Sequence, residues 1–129
     1  LSRAAISASR DPLTALWSYE GFKLRHEEAL LREAAGQGQA SLMLFLLPGL
    51  ERSEAEHGVE LNERSVVRFA AALQRLLGPR WAIARLSKTR FSALSLQPVG
   101  ASELVHTATR VLSQCSRITQ PVNLVGEFD

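Results

Sequence analysis

Trp81-Ala82-Ile83-Ala84-Arg85-Leu86 and Phe91-Ser92-Ala93-Leu94-Ser95-Leu96, separated by Ser87-Lys88-Thr89-Arg90, decide the architecture. Both runs are short and apolar, and the segment between them is hairpin length, so they read as two strands paired antiparallel. Their flanks are helical. Upstream, Val66, Phe69, Ala70, Leu73, Leu76 and Leu77 fall on one helical face, with Asn62 expected as the cap and Gly78-Pro79 as the stop. Downstream, Leu104, Val105, Ala108, Val111, Leu112 and Cys115 make a second stripe. Further out, Ser41-Leu42-Met43-Leu44-Phe45-Leu46-Leu47 is apolar throughout and ends at Pro48-Gly49, which predicts a central strand covered on both faces.

Residues 18–35 read as a helix stopped by Gly36-Gln37-Gly38, residues 51–57 as a short charged helical turn. Pro121 leads into a last strand at Val122-Asn123-Leu124-Val125. The order helix, strand, helix, hairpin, helix, strand gives an α/β (α+β) chain. Its expected sheet is mixed and central, with flanking helices, of ferredoxin-like or palm type.

Bulk properties narrow the function. With 129 residues the chain is one domain that can bury a core without disulfides or metal. Lys plus Arg (15) barely exceeds Asp plus Glu (13), so the basic pI of 9.2 does not mark a cationic face, and a nucleic-acid partner is not expected. The single cysteine, Cys115, lies on an apolar stripe and reads as a core thiol. His26, His57 and His106 lack ligand spacing, so neither metal nor cofactor is expected. No apolar run approaches the roughly 18 residues of a membrane span. The chain opens on Leu1 without a signal-peptide pattern. It is expected to be a fragment of a longer multidomain protein, cytoplasmic or the cytoplasmic part of a membrane-anchored one.

Asp11-Pro12-Leu13-Thr14-Ala15-Leu16, followed by Gly21-Phe22, resembles the DxLTGLxNRxxF opening of GGDEF domains, the bacterial diguanylate cyclases. His57-Gly58 and Asn62-Glu63 fall near that family's GHxxGD segment. Ala84-Arg85-Leu86 resembles the ARxGGDEF lead-in, which places Ser87-Lys88-Thr89-Arg90-Phe91 on the signature hairpin. The resemblance implies a nucleotide-cyclase palm-like fold over residues 11–129, preceded by a helix end or linker over 1–10. The resemblance also implies C-terminal closing elements, which this sequence is expected to lack.

The departures bear on function. The resemblance implies two Mg²⁺ ions held by an acid at the end of the first strand and an acid in the signature loop, activating one GTP against another. The corresponding residues are Leu46 and Thr89, and the second strand-end acid corresponds to Pro48. The signature glycines become Ser87 and Lys88; the guanine-reading positions become Glu54 and Glu63. The product-inhibition motif RxxD aligns with Gly78-Pro79-Arg80-Trp81, without its arginine and aspartate. The expectation is a degenerate domain that is not an enzyme, with no catalytic, metal or cofactor residues.

Such a domain would work as a regulatory or protein-interaction module in cyclic di-GMP signalling. Its partner would be another protein, a neighbouring domain of the same chain, or a second copy in a homodimer. Binding of cyclic di-GMP through the inhibitory motif is not expected. A ligand-binding domain using the former GTP cleft is the alternative. Ser87, Lys88, Thr89, Arg90 and Phe91 form the candidate contact surface. Lys88 and Arg90 read equally as a solvated basic turn, and Glu51, Glu54, Glu56 and Glu60 as a solvated acidic face. Attraction between these two would close the cleft. Asp11 and Thr14 read as helix-breaking or capping residues, Trp17 and Trp81 as core or rim.

Overall fold

The computed structural model describes residues 8–120 and 122–128. Most of the expected linker and Pro121 lie outside the described residues. In chain order the elements are α1 (Tyr19–Ala34), β1 (Leu42–Leu46), α2 (Leu50–His57), α3 (Val59–Leu77), β2 (Trp81–Ser87), β3 (Arg90–Ser95), α4 (Ala101–Thr119) and β4 (Val125–Phe128). The strands form one sheet in the order β2-β3-β1-β4, and every strand pair is antiparallel. The sheet is mixed only through an isolated parallel bridge between Trp17 and Ala84.

The register sorts the side chains. Met43 pairs with Ala93 and Phe45 with Phe91, so these four share one face. Phe69 of α3 meets that face edge-on, with ring centroids 6.4 Å from Phe45 and 5.0 Å from Phe91. All three rings are fully buried. Each contributes about 1.5–3 kcal/mol through burial, and each edge contact about 0.5–1.5 kcal/mol more. Val66, Leu73, Leu77, Leu104, Ala108, Val111 and Cys115 complete this core from α3 and α4. Gly126 lets α4 come close to β4, because a Cβ there would lie 3.2 Å from a Leu112 methyl.

Four details differ from the sequence reading. On β1 only Met43 and Phe45 are fully buried; Leu42, Leu44 and Leu46, on the opposite face, are half-buried. The reason is that α1 packs along β2, leaving β1 less covered than an all-apolar run suggests. The charged segment after β1 is a full helix, α2. Asn62 is not a cap. Gly58, at φ 91°, turns the chain between α2 and α3, so α3 already begins at Val59. Buried inside it, Asn62 donates to the Leu50 carbonyl (2.9 Å) and accepts from Ser53 Oγ (3.0 Å), which ties the two helices together.

The last strand also begins later than expected. Val122 donates its N–H to Thr119 and accepts from the Thr119 hydroxyl, so its backbone is spent in a turn closing α4. Its side chain still packs in the core.

Cys115 is free and fully buried, as its stripe position predicts. Burial raises its thiol pKa, an effect Arg75 opposes in part. The native thiol therefore stays protonated where an unfolded one ionises. Reaction with a thiol-specific disulfide reagent is expected to be slow in the native protein and to become stoichiometric in denaturant. As pH rises above about 8.5, the unfolded state loses its proton first, so the denaturation midpoint should fall more steeply for the wild type than for Cys115→Ala.

Candidate functional site

The segment before α1 is a hook on the edge of β2. Asp11 Oδ2 accepts from both the N–H (2.9 Å) and the hydroxyl (2.7 Å) of Thr14, and the Ala15 N–H returns to the Asp11 carbonyl at 2.8 Å. This turn drives Ala15 to φ 63°, a left-handed backbone at a residue with a Cβ. Trp17 then donates to the Ile83 carbonyl (3.1 Å) and accepts from the Arg85 N–H (2.8 Å), extending the sheet edge by one residue. Two guanidinium groups stack over its half-buried ring, the Arg10 carbon 3.5 Å and the Arg25 carbon 4.4 Å from the ring centroid. Trp81 is a core residue.

Asp11 does more than turn the chain. Its carboxylate lies 3.6 Å from Arg85 Nη1, and the two side chains are only 16% and 11% exposed. Arg85 also donates to the Lys88 carbonyl at 3.0 Å. One arginine thus joins the hook, the strand and the hairpin turn. Nothing in the spacing of Asp11 and Arg85 announces this pair; only the sheet brings them together.

The hairpin turns tightly through Lys88 and Thr89, with Ser87 paired to Arg90 and a register shift between Arg85 and Ser87. Leu46 pairs with Arg90. The Leu47 N–H donates to the Thr89 carbonyl at 2.9 Å, so the strand end and the signature turn meet as the resemblance implies. Ser87, Lys88 and Arg90 are exposed. Phe91 is fully buried and leaves the candidate contact surface, because its β3 position faces the core. Arg90 makes no ion pair among the described residues.

Between hook, hairpin and the α2–α3 junction lies a cavity of about 470 Å³. Its walls include Pro12, Leu13 and Tyr19 from the hook and α1, Leu50, Val59 and Val66 from the helices, and Leu86, Ser87 and Lys88 from the hairpin. Glu54 of α2 and Glu63 of α3 line it together. Lys88 Nζ lies 2.7 Å from Glu54 Oε2, bridging the hairpin to α2, with Glu54 only 21% exposed. The expected attraction between basic hairpin and acidic segment is therefore realised by this one pair. Glu56 instead pairs with Arg52 on its own helix.

These residues do not fit the metals the fold family implies. Leu46 offers hydrocarbon, Pro48 no side-chain donor, and Thr89 a single neutral hydroxyl, whereas Mg²⁺ takes carboxylate oxygens. None of the three lines the cavity. Among the described residues no cluster of His, Cys, Asp and Glu has the grouping to hold an ion, and no helix is long and apolar enough to cross a membrane.

No protein-family model matches the sequence, and no curated protein matches it. Solved structures do. The GGDEF domain of FimX from Pseudomonas aeruginosa superposes with a TM-score of 0.83 at 18% identity, covering 93% of this chain and 78% of that one. The coiled coil and GGDEF domain of DgcB from Caulobacter crescentus, in complex with c-di-GMP, gives 0.87 at 15% identity, covering 98% and 71%. The S helix-GGDEF-EAL segment of LapD from Vibrio cholerae gives 0.81 at 20% identity, covering 98% of this chain and 30% of that one. The chain has the fold of a GGDEF domain.

The hook generates two expectations. Ala15→Gly removes the left-handed penalty where the family's motif carries glycine, and should stabilise the domain by about 0.5–1 kcal/mol, after the added unfolded-state entropy of glycine is deducted. Asp11→Ala deletes both Thr14 bonds and leaves Arg85 without its counter-charge. It should cost roughly 1–3 kcal/mol. Thermal denaturation of the two variants beside the wild type checks both signs.

Proposed function

We propose that this chain is a catalytically inactive GGDEF-like domain, retained as a regulatory contact module in a bacterial cyclic di-GMP signalling protein. One observation carries the reading: the cleft is bridged by Lys88 and Glu54, at 2.7 Å, from positions where the resemblance puts a signature glycine and a guanine-reading asparagine. A glycine there leaves room for nucleotide; a lysine tied across to α2 takes that room. The changes at Leu46, Pro48 and Thr89 support the same conclusion, since a hydrocarbon, a ring and a neutral hydroxyl cannot supply the anionic oxygens of a two-metal site. The core behind them is intact: Phe45, Phe69 and Phe91 are fully buried. What remains useful is surface.

The partner of such a module is a separate protein, a second copy or a neighbouring domain of the same chain. Cyclic di-GMP is a poor candidate through the inhibitory motif. Gly78 and Trp81 stand at its charged positions, and Arg80 is engaged by Glu103 at 3.2 Å. The cavity of about 470 Å³ supports a second reading, in which a nucleotide or another small ligand occupies the old cleft without turnover.

Incubation of the purified domain at high concentration with GTP and Mg²⁺ or Mn²⁺, followed by chromatography of the nucleotides, tests the proposal. No cyclic or linear dinucleotide above a heat-denatured control is expected. Turnover that scales with protein and is abolished by chelation would overturn it.

A further inference from the structure

Resting on the reading of this domain as a contact module, we infer that the cleft beneath the hairpin is a docking site for a basic side chain. The lysine or arginine would be presented by a partner polypeptide on an apolar stem, and its charge received by Glu54 and Glu63.

The cavity's charge is the first argument. Asp11, Glu54 and Glu63 line it against Arg85 and Lys88. Two of these carboxylates are satisfied internally, Asp11 by Arg85 and Glu54 by Lys88. Glu63 makes no ion pair among the described residues, so the lining carries one uncompensated negative charge. Glu63 is exposed and also lines an adjoining open hollow with Leu13, Glu60, Arg64 and Arg68, and among the described residues neither arginine pairs with it.

The second argument is the chain's own occupant. Lys88 reaches across to Glu54 with its Nζ 2.7 Å from a carboxylate that is only 21% exposed, although Lys88 itself is 53% exposed. An ammonium on an alkyl stem, entering from the hairpin side, is therefore a group this cleft already accommodates. The third argument is the wall. Leu13, Leu50, Val59, Val66 and Leu86 give an apolar surface for the methylenes of a lysine or arginine and for an adjacent apolar residue, while the charge meets the glutamates. A nucleotide, with its negative phosphates, would face the opposite complementarity.

Internal and external cations then compete for Glu54. Removing Lys88 should strengthen docking, the reverse of what a directly contacting hairpin lysine would do. Removing Glu54 or Glu63 should weaken it. This sign pattern distinguishes a receiving cleft from a basic docking tip.

The test uses capped tetrapeptides carrying lysine or arginine among leucines, with norleucine and citrulline in place of the cation as neutral isosteres. They are titrated into the ¹⁵N-labelled chain and followed by amide shifts. Saturable shifts at Leu13, Val59 and Glu63 are expected for the cationic peptides and not for the neutral ones. Glu63→Gln, an exposed change that spares the fold, should weaken binding about fivefold, the scale of one partly exposed ion pair. Lys88→Met should tighten it by a similar factor, and both effects should shrink at high salt.

Equal shifts from cationic and neutral peptides, no saturable binding, or weaker binding to Lys88→Met would each overturn the inference. n-Butylammonium binding as tightly as the peptides would overturn the polypeptide assignment in favour of a small amine. These results are independent of the nucleotide assay. GTP turnover would sink the contact-module reading itself, whereas failed docking with no turnover would sink only the cationic partner.

Discussion

The antiparallel pairing of β1 with β3 is the constraint on which the rest depends. Setting Phe45 opposite Phe91 and Met43 opposite Ala93 fixes the core face, and Phe69 can then meet both rings edge-on. The same register sets Leu46 opposite Arg90 and brings the Leu47 N–H to the Thr89 carbonyl. Strand end and hairpin turn are thus held together by the ladder that builds the core. A slip of one residue would turn the phenylalanines to the half-exposed face and separate the site at once. Fold and site share one degree of freedom, so the site's backbone geometry is set by the core ladder and not by the side chains at its rim.

Around that ladder the hook from Asp11 to Trp17 supplies the remaining rigidity. It protects part of the β2 edge with two backbone bonds, and it delivers Asp11 to Arg85. The left-handed Ala15 shows how far the local backbone is bent to make that delivery. Such strain persists only where surrounding bonds over-determine it, and here the Asp11–Thr14 bonds and the bridge to Ala84 do so. Because Arg85 also binds the Lys88 carbonyl, the hook supports the position from which Lys88 reaches Glu54.

Much of this was legible in the sequence where periodicity and local chemistry agree. The stripes of α3 and α4, the hairpin and the core position of Cys115 all follow from residues close in sequence. Asn62 misled because its side chain suits a cap, yet its partners, Leu50 and Ser53, lie on another helix. The all-apolar run at Leu42–Leu46 suggested two covered faces, but run composition does not say how far a neighbouring helix extends over the sheet. Of the site, motif spacing located the hairpin and the strand end. The Asp11–Arg85 pair and the meeting of Glu54 with Glu63 in one cavity are tertiary facts, without any local signal.

The positions that the resemblance assigns to metal and nucleotide lie outside the packed core. Leu46 lies on the half-buried face of β1, Pro48 in an exposed turn, and Ser87 and Lys88 at the exposed hairpin end; none contributes to the cluster around Phe45, Phe69 and Phe91. Substitution at such positions leaves the packing energy nearly untouched and acts on what the cleft can receive. Phe91, the last residue of the same five-residue hairpin segment, is fully buried. The burial boundary falls at the start of β3: Ser87 and Lys88 precede the strand and Arg90 opens it, all three exposed, whereas every residue from Phe91 to Ser95 is buried and held by packing.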